Sequence, residues 1–351
     1  MRKSSREALL IECLRARARS TPLLMILEDC HWLDPLSHEL IEVTGRAIAD
    51  LPVMMLMVYR PPDIQRLQAP RVSQLPHFTE VALAEFTADE AVQLIRLKLT
   101  RALGPGTELP RDVMARITQR AAGNPFYIEE LLNYLHDRGI HPEDAEALAE
   151  VDLPTSLYSL VLSRIDQLTE SQQTVVKVAS VIGRLFPAAM VWGVYPQVGS
   201  FDRVQADLEM LSDLDLTPLD APEPELTYLF KHIITQEVAY ESLLYATRSM
   251  LHEQIGHYVE ATYPDALDQY VNLLAFHYER SENQAKKREY LKKAGEVAQA
   301  TYANEAALEY YQKLLPRLPA ADQGAVLLKL GKVLELTGQW DEAGDRYQEA
   351  L

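Results

Sequence analysis

The chain reads as a partial α/β layer followed by a mainly helical remainder, and three observations lead there. Two continuous apolar runs, Leu23–Leu27 (LLMIL) and 52–59 (PVMMLMVY), have the form of strands buried on both faces of a parallel sheet. The stretch 35–49 between them has helical periodicity, so strand, helix and strand follow in the order of a crossover unit. From Thr87 the pattern is helical almost to the end.

Each element has a local reason. Residues 4–19 place Leu9, Leu10, Cys13 and Leu14 on one helical face, and Arg15, Arg17 and Arg19 close the last turn, where cations favour the helix dipole. Asp34 is an N-cap for the second helix, with Pro35 at its first position. Two strands do not make a doubly wound sheet, and 81–84 supplies one short further candidate. Thr87 followed by Glu90 is a capping box, and the helices after it break at 104–110 and at Gly123-Asn124-Pro125. Residues 153–232 hold three helical stretches and then a strand pair, 215–219 and 226–230, which is the winged-helix pattern.

The C-terminal region repeats. Leu327, Leu330, Gly331, Leu334, Gly338, Trp340, Ala343, Tyr347 and Ala350 fall in tetratricopeptide register. Ala306 and Tyr310 repeat the second-helix part at an offset of 37 residues, and a weaker copy over 274–294 has Lys287 where a small residue belongs. No polar capping helix follows the last repeat, so further chain is expected there.

Composition sets bounds. The chain has 351 residues, 48% hydrophobic and 24% charged, which is ordinary for globular proteins. A net charge of −17 argues against a main role in holding nucleic acid or an anionic membrane. Residues 151–232 hold 5 Lys and Arg against 11 Asp and Glu, the wrong sign for a winged helix on DNA, so direct DNA binding is not expected. Two cysteines, Cys13 and Cys30, make no disulfide framework, and no run nears the roughly 18 apolar residues of a membrane span. The expected location is the cytoplasm.

The first apolar run ends in Glu28 and Asp29. Two readings fit: a strand followed by a solvated acidic turn, or the acid pair that orients Mg2+ through water and polarises an attacking water. Trp32 reads as a packing anchor and His31 as a loop histidine. Arg60 ends the second run, either as a surface residue before a Pro-Pro turn or as a cation aimed at a terminal phosphate. No GxxxxGK[ST] phosphate loop occurs: the Gly331-Lys332 pair is followed by Val333, and no glycine precedes Gly45.

Together these segments resemble the STAND-type (AAA-related) signalling ATPases with tetratricopeptide repeats, of the kind linked to class III adenylate and guanylate cyclases. LLMILEDCHWLDP resembles that family's Walker B segment, VMMLMVYRPPD its sensor strand, and GNPFYIEELL its lid motif. The segments beginning LPTSLYSLVL and FKHIITQEVAY resemble its winged helix and the helices that lead into the repeats. The resemblance implies Glu28 and Asp29 as catalytic acids and water-mediated Mg2+ ligands, Arg60 as the sensor, and Pro125 near the adenine.

It divides the chain into a partial ATPase core with a piece of the P-loop parallel sheet (1–86), a helical lid (87–150), a winged helix (151–232) and repeats (233–351). It further implies ATP and Mg2+ as cofactors of a complete parent, an upstream cyclase or kinase domain, and a protein partner on the repeats. Without the Walker A loop, the chain is expected to be inactive alone and to bind no cofactor tightly. The alternatives are a non-hydrolysing repeat scaffold and a fragment of a LuxR-type transcription regulator.

Overall fold

The computed structural model of the chain describes residues 2–28, 30, 33, 35–60 and 71–351. Two compact units result, residues 1–83 and residues 84–351. The described residues are mainly helical with two small sheets.

The first unit runs α1 (Arg2–Ala18), β1 (Leu23–Leu27), α2 (Pro35–Ala47) and β2 (Val53–Met57). The strands pair in parallel, with Leu23 opposite Val53 and Leu27 opposite Met57. Burial alternates along both. Leu24, Ile26 and Met54 are 60%, 54% and 63% exposed, and Leu56 and Val58 share their exposure. This corrects the expectation of strands buried on both faces. The residue types suit a fully covered strand, but a two-stranded sheet with one covered face leaves alternate side chains open. The candidate strand at 81–84 is irregular, with Val81 and Leu83 exposed, because no strand edge among the described residues takes up its backbone groups. Asp34, the expected N-cap of α2, lies outside the described residues.

The second unit begins with α3 (Ala88–Leu103), α4 (Arg111–Ala121), α5 (Pro125–Asp137) and α6 (Ala145–Glu150). The capping box forms at α3: Thr87 N donates to Glu90 Oε2 at 2.9 Å, and Glu90 N donates to Thr87 Oγ1 at 3.4 Å. Ile95, Ile117, Ile128 and Leu131 form a closed core among these helices.

Next come α7 (Leu157–Asp166), α8 (Glu170–Ile182), β3 (Leu185–Pro187), α9 (Ala188–Val194), α10 (Phe201–Asp213), β4 (Leu219–Ala221) and β5 (Thr227–Leu229). The sheet is antiparallel in the order β3-β5-β4. The strand pair expected at 215–219 and 226–230 is thus part of a three-stranded sheet: β3, which sequence reasoning missed, pairs with β5, and β4 lies later than 215–219. A three-residue strand carries too little alternation to stand out in a sequence.

The remaining helices are α11 (Ile233–Glu241), α12 (Tyr245–Thr262), α13 (Val271–Arg280), α14 (Gln284–Ala300), α15 (Asn304–Leu314), α16 (Ala320–Leu336) and α17 (Trp340–Glu349). The last six form three hairpins, and in each a glycine of the first helix lies under a tyrosine ring of the second. A Cβ on Gly256 would stand 2.5 Å from Tyr278, one on Gly295 2.5 Å from Tyr311, and one on Gly331 2.3 Å from Tyr347.

This corrects the repeat register. Gly295, Ala307 and Tyr311 match Gly331, Ala343 and Tyr347 at an offset of 36 residues, and both alanines are buried. The pair Ala306 and Tyr310 is one position out. The weak copy at 274–294 divides between two hairpins, and the true first unit is α12 with α13. Glu260 joins neighbouring hairpins, accepting from Tyr278 at 2.7 Å, Tyr290 at 2.5 Å and Lys286 at 2.7 Å.

Candidate functional site

The strand ends place two of the expected site residues side by side. Beyond the β1–β2 ladder the pairing continues: Val58 N donates to Leu27 O at 2.8 Å and Cys30 N to Val58 O at 2.9 Å. Glu28 thus leaves β1 beside Val58, and Arg60 follows two residues on, both exposed. Neighbouring strands lie about 4.8 Å apart, so an acid and a cation emerge from adjacent carboxyl ends of a parallel sheet. Ligands bind at that edge of open α/β sheets. Cys30 is buried, its Sγ 3.1 Å from Leu27 O. Asp29, His31 and Trp32 lie outside the described residues.

The residues present are an incomplete fit to a nucleotide with Mg2+. They provide an acid and a cation, and the sequence holds no glycine-rich loop to cradle phosphates. Among the described residues no three His, Cys, Asp or Glu side chains converge to hold a metal ion.

Pro125 sits in the second unit, exposed in the first turn of α5. Asn124 caps that helix, accepting from Phe126 N at 2.9 Å and Tyr127 N at 3.2 Å. Gly123 has φ +80°, and a Cβ there would stand 2.5 Å from Phe86 O; the same two backbones join through Phe86 N to Gly123 O at 2.9 Å. The Gly-Asn-Pro sequence therefore has a structural cause: a left-handed turn with a close backbone approach, a cap and a helix start.

A charged network that sequence reasoning missed follows along α5. Lys98 and Lys231 reach Glu129 at 2.9 and 2.6 Å, and Lys231 also pairs with Asp215. Burial pushes the Glu129 carboxyl up, but the hydrogen bonds from Lys231 and Lys98 outweigh it and hold it below the usual range. One residue on, Glu130 receives the buried Arg164 at 2.7 Å, and Arg164 also donates to Asp137 and to Leu214 O, each at 2.7 Å. Burial holds the Glu130 carboxyl above its ordinary value, the Arg164 charge offsetting this only in part. Nearby, the Phe126 and His232 rings lie 3.8 Å apart, and burial followed by the Lys231 charge lowers the imidazole pKa. The consecutive acids of Tyr-Ile-Glu-Glu-Leu-Leu are visible in the sequence, but their partners lie 31 to 102 residues away.

In comparison with known proteins, the model of a family described as a domain of unknown function, DUF8739, matches residues 87–147. An uncharacterized protein of Rhizobium meliloti (strain 1021) is 27% identical over 252 residues, covering 70% of this chain and 23% of that protein. Adenylate cyclase type 10 of Rattus norvegicus is 22% identical over 308 residues, covering 72% of this chain and 19% of that one. The chain thus spans about a fifth of the length of the curated relatives it matches. Among solved structures, a Signal Transduction ATPase with Numerous Domains (STAND) protein with a tetratricopeptide repeat sensor from Pyrococcus horikoshii is similar. Its TM-score is 0.43 at 13% identity, covering 98% of this chain and 63% of that one. No helix among the described residues is long and apolar enough to cross a membrane.

Proposed function

We propose that the chain is the regulatory part of a STAND-type signalling protein linked to a nucleotide cyclase, in which a nucleotide-dependent switch is coupled to a sensing surface of tetratricopeptide-like repeats. The observation that carries this reading is the emergence of Glu28 and Arg60 from adjacent carboxyl ends of a parallel strand pair. The open apolar face of that pair supports it, since a parallel sheet is stable when both faces are covered. So does the similarity to a protein named adenylate cyclase over 72% of this chain.

In this reading Glu28 and Asp29 are the acids of the nucleotide site, Arg60 answers to the terminal phosphate, and Pro125 borders the base. Bound ATP with Mg2+ would supply the energy of phosphoryl transfer. Glu28 would hold an attacking water in line, and Arg60 would favour the charge that develops on the phosphoryl oxygens. Residues 151–232 act as a winged-helix spacer on the lid; their excess of acidic residues suits packing within a protein rather than DNA. The protein works in the cytoplasm, and the repeats take a protein partner.

The experiment has two arms. Isothermal titration of this chain with Mg–ATP is expected to show no binding at micromolar affinity. In a longer protein carrying these segments behind a GxxxxGK[ST] loop, Glu28→Gln is expected to retain ATP binding while slowing turnover about 100-fold or more. Turnover unchanged in that variant would remove Glu28 from the catalytic role.

A further inference from the structure

A cleft of about 420 Å3 opens in the second unit where three helices end. The last turns of α3 and α5 and the end of α10 all line it, through Leu103, Asp137 and Asp213 among others. Its volume lies in the range of small-molecule sites, about 300–1,000 Å3. The walls are mostly aliphatic: Leu99, Leu132 and Ile140 join Leu103. Among the described residues, the aromatic rings that line it are the imidazoles of His136 and His141.

The electrostatics have a sign. Each helix C-terminus carries roughly half a negative charge, and three such ends line the cleft. The ionic network around the cleft has carboxylates at Glu129, Glu130, Asp137 and Asp215 against cations at Lys98, Arg164 and Lys231, which leaves one negative charge in excess. Two further charges on the rim, Arg101 and Asp213, offset each other. The cleft therefore joins an aliphatic wall to a negative end.

We propose that this cleft binds a small aliphatic primary amine, its ammonium group toward the carboxylates and the negative helix ends and its alkyl chain along the leucines. An ammonium donates up to three hydrogen bonds, and the lining carboxylates of Asp137, Asp213 and Asp215 accept them. The site is separate from the nucleotide reading: Pro125 lies at the other end of the thirteen-residue α5, roughly 18 Å away at 1.5 Å per residue. The two proposals stand or fall independently.

The test is a ligand-observed NMR titration of the full chain at pH 7 with n-hexylamine, n-hexanol and hexanoate, which share a similar alkyl body and differ in head group. The amine is expected to bind about tenfold or more tighter than the alcohol, and the carboxylate more weakly than either. Leu103→Trp, which fills the cleft from an exposed position, is expected to weaken the amine about tenfold. Asp213→Asn is expected to weaken the amine about threefold and leave the alcohol unchanged. Equal affinity for amine and alcohol, tighter binding of hexanoate, or amine binding indifferent to Leu103→Trp would each overturn the proposal.

Discussion

Ile26 and Ile255 are the same residue with opposite fates. The first stands on a strand and is 54% exposed, while the second stands on α12 and is fully buried. The same contrast holds between the β1–β2 unit and the helical hairpins as wholes. A hairpin of two helices finds its partner within about forty residues, and close approach at Gly295 and Gly331 lets a tyrosine ring lie against the neighbouring backbone. A parallel strand pair cannot complete itself in this way, because its second face and its outer edges need other layers and strands. Helical repeats gain stability from one neighbour to the next, whereas a parallel sheet needs its further strands and both covering layers.

The strongest way to break the closed side of this contrast is at Arg164. Its guanidinium is buried with Glu130, and Asp137 and Leu214 O take its other donors. Arg164→Ala leaves Glu130 buried without its cation, and the expected loss is about 3–5 kcal/mol in urea denaturation. The double change Arg164→Met with Glu130→Leu is expected to recover most of that loss, since replacing both charges removes the desolvation cost. A single-variant loss below about 1 kcal/mol would mean that water reaches this pair.

A somewhat smaller effect comes from acid. His252 and His277 are buried, with their Nδ1 atoms 2.9 Å apart across α12 and α13. Burial, then the Arg280 and Arg248 charges, lowers His252 to about 4; burial, then His252 and Arg280, lowers His277 to about 3. Both are neutral when folded. Their unfolded pKa is near 6.5, so the unfolded chain takes up protons first as the pH falls below that value. Stability is thus full above about pH 6.5 and declines as the pH falls, by about 2 kcal/mol for each histidine at pH 5. His277→Asn is expected to flatten that decline when denaturation is compared at pH 7 and pH 5. An equal slope in variant and parent would mean that the pair is already hydrated.

The third prediction sharpens the repeat packing. Gly295→Val puts atoms where the buried Tyr311 ring stands, and overpacking of this kind costs about 1–3 kcal/mol. A Cβ on Gly344 would meet nothing within 4 Å, so this position serves as the control: Gly344→Ala is expected to be neutral or slightly stabilising. Equal thermal midpoints for the two variants would remove the close approach as a packing determinant.

What is legible in the sequence follows the range of each interaction. The capping box of Thr87 and Glu90, the helix break at Gly123-Asn124-Pro125 and the spacing of Gly331 from Tyr347 are all short-range and can be read directly. The parallel order of β1 and β2 is legible from their apolar runs. Their exposed face is not, since residue type says what a strand prefers to contact and not whether a second layer is present. The Arg164 network is not legible either, because Arg164 and Glu130 are 34 residues apart and each alone reads as a solvated helix charge. The repeat register expected from the sequence is off by one because Tyr310 and Tyr311 are adjacent, and only the ring beneath which Gly295 sits decides between them.

The smallest expected effect tests the open side of the contrast. Ile26→Lys and Met54→Lys place charges on the exposed sheet face, and in this chain each is expected to change stability by no more than about 0.5 kcal/mol, because neither side chain has left water. Lysine also tolerates a strand position where its alkyl stem lies along neighbouring apolar groups. In a longer protein whose further strands or helices cover that face, the same substitutions would bury an unpaired ammonium and cost several kcal/mol. The pair of measurements therefore reports whether the face is a surface or half of an interface. A large loss in this chain alone, read by urea denaturation of the strand unit, would mean that the face is already covered. Near-neutrality here with a large loss in the longer protein would identify this sheet as the surface on which the rest of the α/β domain is assembled.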